Sequence, residues 1–255
     1  MGDKITNIKC NLSGLNIIGK GVDGIVYDFT NRSVIKKINI TKKNIKNIKW
    51  EVKIMKKISP DPVFPTLYSI KICSSKKEPY ILIQMEKFDY TLEDWMKEDH
   101  SVEEWKIMLK QLFMIIDRLN CKYKISNMDI KPVNLMFKRE ELKMIDFGLN
   151  EPYTGDQLNY ANMINLYCNK YAINIYTISE KLLKKGWNRH KSWKYATDYK
   201  LAKKLFEDGI LNIDNIDNID KWEYPTKIIP FIKELQKSYG KPAKYFLEKY
   251  FQGIE

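Results

Sequence analysis

The feature that most constrains the fold is a glycine-rich turn near the start of the chain, within LNIIGKGVDGIVYDF (residues 15–29). Gly19, Gly21 and Gly24 form the pattern G-x-G-x-x-G, and the missing Cβ atoms let backbone amides approach phosphate oxygens. In one use of this pattern a strand leads into a helix, and a dinucleotide binds at the helix start. Here a strand-like run, IVYDF, follows the glycines, which favours a β-hairpin that covers the phosphates of a nucleotide.

The first 87 residues are predicted to form a small sheet with one helix against it. The runs SVIKKINI (33–40) and PYILIQMEKF (79–88) have the composition and length of strands. Between them, residues 41–58 carry apolar side chains at helical spacing, at positions 45, 48, 52, 55 and 58. Thr41 is the predicted helix cap.

The remainder of the chain is predicted to be mainly helical. Ser101 and Glu104 form a capping box at the head of residues 101–120. The wide apolar face of that helix suits a core position, and comprises Leu109, Leu112, Phe113, Ile116 and Leu119. The runs NLMF and LKMIDFG predict a hairpin, and helical patterns then resume to the end of the chain. No flexible linker separates independent domains.

Two charged residues near the glycine turn have the spacing of a phosphate-binding pair. Lys36 follows Gly24 by twelve residues and lies in a predicted strand, where its ammonium group can neutralise phosphates. Glu51 lies near the edge of the apolar stripe of the next helix, so its carboxylate is a candidate partner for Lys36.

A second group of polar residues lies in MDIKPVNLMF and MIDFGL. Asp129 can accept a proton from an attacking hydroxyl, and Lys131 can balance charge on a transferring phosphoryl group. Asn134 and Asp146 offer hard oxygen ligands for Mg²⁺, and Asp146 can bridge the metal to the phosphates.

The five motifs, in this order and at this spacing, resemble those of eukaryotic-type protein kinases, with recognisable similarity over roughly residues 15–150. The resemblance implies an α+β, bilobal fold within a single domain, 1–255. Residues 1–87 would be a small β-rich N-lobe with one main helix, and residues 88–255 a larger, mostly helical C-lobe.

The resemblance also implies a site for ATP with Mg²⁺, or Mn²⁺. Its hinge would be MEKF, with Met85 as gatekeeper and backbone groups of Glu86 and Phe88 offered to adenine. Three apolar side chains would enclose the adenine ring: Val26, Val34 and Met136. Lys131 favours serine/threonine over tyrosine specificity, and DIKPVN and IDFGL lean towards casein-kinase-one-like and viral members.

The chain departs from the family at positions that concern support and control. Asn127 and Met128 stand where a His and an Arg normally precede the catalytic Asp, and methionine cannot bind a phosphate on the activation segment. That segment is short, whether the following helix begins at Asn174 or at Asp156. We therefore expect a serine/threonine kinase that activation-loop phosphorylation does not control. A nucleotide-binding pseudokinase acting as a scaffold and a small-molecule kinase of the same fold are the alternatives.

Composition bounds the partners and the location. The net charge of +12 is compatible with acidic partners or nucleic acid, but the lysines look scattered along the chain, which favours coding bias as their origin. No run of about 18 apolar residues and no signal-peptide pattern is found. The four cysteines lie far apart without a CxxC pair, which favours a reducing compartment and disfavours structural zinc: Cys10, Cys73, Cys121 and Cys168. We expect a cytoplasmic protein, in the host cytoplasm or the virion if it is viral.

Overall fold

The computed structural model describes residues 8–21, 24–74, 78–127, 130, 132–148, 150–153, 225–238 and 241–254. The chain divides into two compact units. The first unit comprises Met1–Tyr90 and Phe137–Gly148, and the second comprises Thr91–Met136 and Leu149–Glu255. The helical patterns predicted between residues 154 and 224 lie outside the described residues.

The first unit contains a five-stranded antiparallel sheet in the order β1-β2-β3-β5-β4. Its strands are β1 (Ile17–Gly21), β2 (Gly24–Thr30), β3 (Ser33–Asn39), β4 (Leu67–Cys73) and β5 (Tyr80–Glu86). The predicted strand runs around residues 17–30, 33–40 and 79–88 are therefore confirmed.

Strand register assigns the side chains of this sheet to two faces. Val26 lies opposite Lys36, and Lys36 lies opposite Ile83, so these three residues share one face. Val34, two residues from Lys36 on β3 and opposite Met85, belongs to the same face. We call this the inner face. It gathers the strand residues predicted to line a nucleotide site.

The outer face of the sheet is covered by the chain's own N-terminal segment. Ile8 packs in a buried cluster with Ile35 and Leu82, and Leu12 and Leu15 pack against that cluster. Two hydrogen bonds fix the backbone of the segment: the Lys71 ammonium donates to the Ile8 carbonyl at 2.9 Å, and the Tyr80 hydroxyl donates to the Cys10 carbonyl at 2.7 Å.

A disulfide also joins this segment to the sheet, between Cys10 and Cys73 of β4, which are 63 residues apart in sequence. This bond counts against the reducing compartment expected from the cysteine spacing, since disulfides persist mainly in oxidising environments. Pairing depends on which strand the N-terminal segment covers, and spacing in the sequence does not contain that information. Cys121 is a free cysteine, and partial burial raises the pKa of its thiol.

Helix α1 (Ile45–Ile58) follows β3, as the apolar spacing predicted. Its buried side chains are Ile48, Glu51, Ile54, Met55 and Ile58. Thr41 lies one turn earlier than an N-cap: its hydroxyl accepts from the Asn44 N–H at 3.2 Å, and Asn44 occupies the cap position. The helix therefore begins after a short turn that Thr41 closes.

The second unit is built around helix α3 (Val102–Asp117), preceded by α2 (Leu92–Trp95). The predicted capping box of Ser101 and Glu104 is present, and all five predicted core residues are buried, with Leu119 lying just beyond the end of α3. The ring of Phe113 stacks on Phe246 of the last helix at a centroid distance of 4.8 Å. The last two described helices are α4 (Ile229–Lys237) and α5 (Ala243–Tyr250).

The remaining strands are short. Strands β6 (Tyr90–Thr91), β8 (Leu135–Lys138) and β9 (Glu141–Met144) form a three-stranded sheet in the order β6-β8-β9, in which β8 and β9 are the predicted hairpin. Strand β7 (Ile125–Asn127) pairs antiparallel with β10 (Asn150–Pro152). Within the described part of the chain, no helix is long and apolar enough to cross a membrane.

Candidate active site

A nearly buried ion pair lies at the inner face of the sheet. The Lys36 ammonium on β3 donates to Glu51 Oε1 on α1 at 2.8 Å, and the two side chains are 13% and 6% exposed. The predicted partnership of these two residues is thus present in the structure. Because little water reaches the pair, its attraction is stronger than that of a surface salt bridge.

Asp146 brings a second carboxylate to the same ammonium group. Its Oδ1 lies 3.7 Å from Lys36 Nζ, and the side chain remains 28% exposed. Its backbone is left-handed, with φ of 62°, and Oδ1 also accepts the Gly148 N–H at 3.2 Å. Lys36 therefore lies between one buried carboxylate and one that is partly open to solvent.

Phe147, the residue after Asp146, is buried in the first unit. Its ring is 1% exposed and meets Phe64 edge to face, with centroids 6.2 Å apart. Phe64 belongs to the connection between α1 and β4, a stretch rich in proline and turn residues. Nothing in its local sequence indicated a role near the site, because the contact is made across about 80 residues of chain.

The glycine turn connects two strands, which excludes the strand-to-helix alternative. Gly19 lies opposite Val26, and Gly21 opposite Gly24, in the β1–β2 pair. A Cβ on Gly24 would lie 2.3 Å from the Lys37 carbonyl oxygen, so only glycine fits there without movement of β3. A Cβ on Gly21 would have no described atom within 4 Å.

The end of β5, predicted to be a hinge, is fixed by one buried carboxylate. Glu86 exchanges hydrogen bonds with Thr66: its N–H donates to the Thr66 carbonyl at 2.9 Å, and its Oε2 accepts the Thr66 N–H at 3.1 Å. Lys138 forms an ion pair with the other carboxylate oxygen. Two residues on, Phe88 is buried, and its N–H makes no hydrogen bond within the described residues. That N–H is suited to donate a hydrogen bond to an acceptor atom of a ligand.

The residues of the predicted catalytic loop belong to the second unit. Asp129, Lys131 and Met128 lie outside the described residues. Asn134 ends a short 3-10 turn and is 7% exposed, and Met136 on β8 is half-buried.

Asn127, in the position of the usual histidine, is fully buried on β7. It lies opposite Asn150 of β10, and that residue is 7% exposed. A buried asparagine needs hydrogen-bond partners for its side-chain amide.

The donor groups fit a nucleotide with a divalent cation. Lys36 and the glycine turn supply positive charge and close backbone approach for phosphates, and Asp146 supplies a carboxylate. No group of three or more His, Cys, Asp or Glu side chains suited to a metal occurs among the described residues. Mg²⁺ is commonly bound by one or two carboxylates together with substrate phosphates, and Asp146 is a ligand of that type.

A glycine hairpin, a strand lysine paired to a helix glutamate and an Asp-Phe-Gly segment define a kinase-like phosphotransferase. The family model described as "Protein kinase domain" matches residues 12–173, more than half of the chain, and the chain therefore belongs to the protein kinase family. No protein with a curated function matches it. The predicted α+β, bilobal kinase fold is confirmed, and membership implies phosphoryl transfer with ATP and a divalent metal.

Proposed function

We propose that this protein transfers the γ-phosphoryl group of ATP, with Mg²⁺, to serine and threonine hydroxyls of proteins. The observation that carries the proposal is the position of Lys36 between Glu51 and Asp146, at 2.8 and 3.7 Å. This geometry supports a role for Lys36 in binding phosphate oxygens and a role for the neighbouring Asp146 carboxylate in binding a metal.

In this proposal, Lys36 binds phosphate oxygens and Glu51 positions it. Asp146 and Asn134 hold the Mg²⁺ ion, which neutralises charge on the phosphates. The left-handed backbone of Asp146 and the burial of Phe147 support a fixed orientation of that carboxylate. Gly19, Gly21 and Gly24 cover the phosphates.

Adenine is proposed to lie along the inner face of the sheet and the hinge. Val26 and Val34 supply one wall, and Met136 supplies the other. Met85 is the gatekeeper, and the backbone of Glu86 and Phe88 supplies the hydrogen bonds.

The acceptor chemistry is assigned to the catalytic loop by its sequence. Asp129 accepts the proton of the attacking hydroxyl, and Lys131 balances charge on the transferring group. The proposed serine/threonine specificity also rests on Lys131. Met128 cannot bind a phosphorylated activation segment, so activity is proposed to be independent of phosphorylation there.

The test is transfer of label from radioactive ATP to a basic and an acidic generic protein substrate, with Mg²⁺. Asp129→Ala and Asp146→Ala should each lower the rate by at least about 100-fold, because each removes a group that acts in the transition state. Asp99→Ala removes an exposed carboxylate on the second unit and serves as the matched control, with unchanged activity expected.

Three results would contradict parts of the proposal. Equal labelling by wild type and Asp129→Ala would remove the catalytic assignment. If nothing is labelled while ATP still raises the melting temperature, the protein is a nucleotide-binding scaffold. Phosphatase treatment of the purified protein should leave the rate nearly unchanged, and a large loss would show that phosphorylation does control it.

A further inference from the structure

The exposed side of helix α1 and the turn before it carries an unusual concentration of positive charge. Residues 42–57 contain seven lysines and one glutamate, a net charge of +6, which is half of the +12 of the whole chain. All seven lysines are exposed, and the glutamate is the buried Glu51. The expectation of scattered lysines is thus wrong for this segment, because helical geometry gathers them.

The five lysines of the helix lie on one side of it. At about 100° per residue, they occupy an arc of about 100°, roughly opposite the buried side centred on Glu51. We call them the lysine face: Lys46, Lys49, Lys53, Lys56 and Lys57. The face extends about 15 Å along the helix axis from Lys46 to Lys56.

The charge in the first turn opposes the stability of the helix, whereas Lys56 and Lys57 in the last turn complement the helix dipole. The first turn contains no acidic residue, so Lys46 faces the positive end of the helix dipole. Lysines three and four residues apart also repel one another. By contrast, α3 places Glu103 and Glu104 in its first turn. A helix whose first turn lacks acidic residues and whose exposed side repels itself is a candidate functional surface.

Four lysines of the face, Lys46, Lys49, Lys53 and Lys56, form no ion pair with a described acidic residue. The Lys53 ammonium lies 5.4 Å from the ring centre of the half-buried Trp50. Helix α1 therefore presents ammonium groups and one aromatic ring, and its own carboxylate, that of Glu51, is buried.

We infer that the lysine face binds the phosphate backbone of nucleic acid. Lysine is depleted in protein–protein interfaces, which depend on aromatic and arginine anchors, whereas nucleic-acid interfaces are strongly positive. From Lys46 to Lys56, successive lysines of the face are separated by about 4.5–6 Å along the axis, a spacing that can follow consecutive phosphates of one strand. Because each ammonium contacts phosphate as a point charge, binding is independent of base sequence.

The test is fluorescence anisotropy with labelled oligonucleotides of mixed sequence, single-stranded and duplex, in the absence of ATP. The variant neutralises four positions of the face: Lys46→Gln, Lys49→Gln, Lys53→Gln and Lys56→Gln. The control removes four exposed lysines of the second unit: Lys97→Gln, Lys122→Gln, Lys244→Gln and Lys249→Gln. Both variants lower the net charge by the same amount.

Four phosphate contacts predict a slope near −3 for the logarithm of single-strand affinity against the logarithm of salt concentration. The affinity should therefore fall about 50-fold between 50 and 200 mM salt. The face variant should lose most of that slope and bind at least about 30-fold more weakly at 50 mM salt. The control should stay close to wild type. Circular dichroism confirms that both variants are folded.

Three outcomes would overturn the inference. They are no binding by wild type at low salt, equal losses in the two variants, and displacement of the oligonucleotide by polyglutamate at equal charge concentration. The last would assign the face to an acidic protein. Because the measurement uses no ATP, its failure leaves the proposed kinase activity untouched.

Discussion

Replacing Glu51 with glutamine removes one charge from the carboxylate–ammonium–carboxylate arrangement and preserves its shape. At an effective dielectric constant of 20, the attraction of Lys36 to Glu51 at 2.8 Å is about 6 kcal/mol, and that to Asp146 at 3.7 Å is about 4.5 kcal/mol. Glu51→Gln therefore leaves Lys36 with a carboxylate close by. Removing one partner of a buried pair normally costs about 3–5 kcal/mol, and here we expect less, about 1–3 kcal/mol.

Lys36→Met is the informative comparison. It leaves Glu51 and Asp146 without the cation between them, and Glu51 is buried, so we expect the full loss of about 3–5 kcal/mol. Urea denaturation measures both free energies of unfolding. The double variant should be less destabilised than the sum of the two single changes, because it no longer buries the unpaired Glu51 charge.

The activity should fall further than the stability suggests. Without Glu51, Lys36 is drawn to Asp146, so kcat/KM for ATP should drop about 100-fold, equivalent to about 2.7 kcal/mol. Lys97→Gln is the control, since it removes an ion pair of the same 2.8 Å length whose side chains are 66% and 51% exposed. Its effect on stability should be below about 1 kcal/mol. A greater loss of stability in Glu51→Gln than in Lys36→Met would refute this reasoning.

Two further substitutions test other parts of the first unit. Gly24→Ala should raise the KM for ATP at least about tenfold and lower the melting temperature, because the added Cβ meets the Lys37 carbonyl. Gly21→Ala should change both quantities much less. Equal effects of the two substitutions would contradict the predicted clash at Gly24. Cys10→Ala should lower the free energy of unfolding by about 2–4 kcal/mol in non-reducing buffer. In dithiothreitol, wild type and Cys10→Ala should have nearly equal free energies of unfolding. A difference that persists in the reductant would not come from the bond with Cys73.

Local patterns predicted much of the fold and part of the site. The apolar spacing of α1 and the capping box at Ser101 are set within one or two helical turns, so the sequence displays them directly. The pairing of Lys36 with Glu51 was also predictable, because a glycine hairpin, a strand and a helix follow one another with short connections.

The contacts that escaped prediction join residues far apart in the chain. Phe64 meets Phe147, and Lys138 meets Glu86, through loops and strands whose meeting depends on the whole unit. The Cys10–Cys73 bond belongs to the same class, since it required the N-terminal segment to cover the outer face of the sheet.

The sequence by itself determined the chemistry of this protein: a glycine turn, a lysine, carboxylates and an amide of the types that phosphoryl transfer requires. Tertiary structure decided how those groups meet, through the register that places Val26 opposite Lys36 and the turn that brings Asp146 to the same ammonium. It also decided that Glu51 is buried against Lys36. Spacing along the chain fixes which groups exist, but only packing converts that spacing into distances between charges, on which electrostatic energies depend.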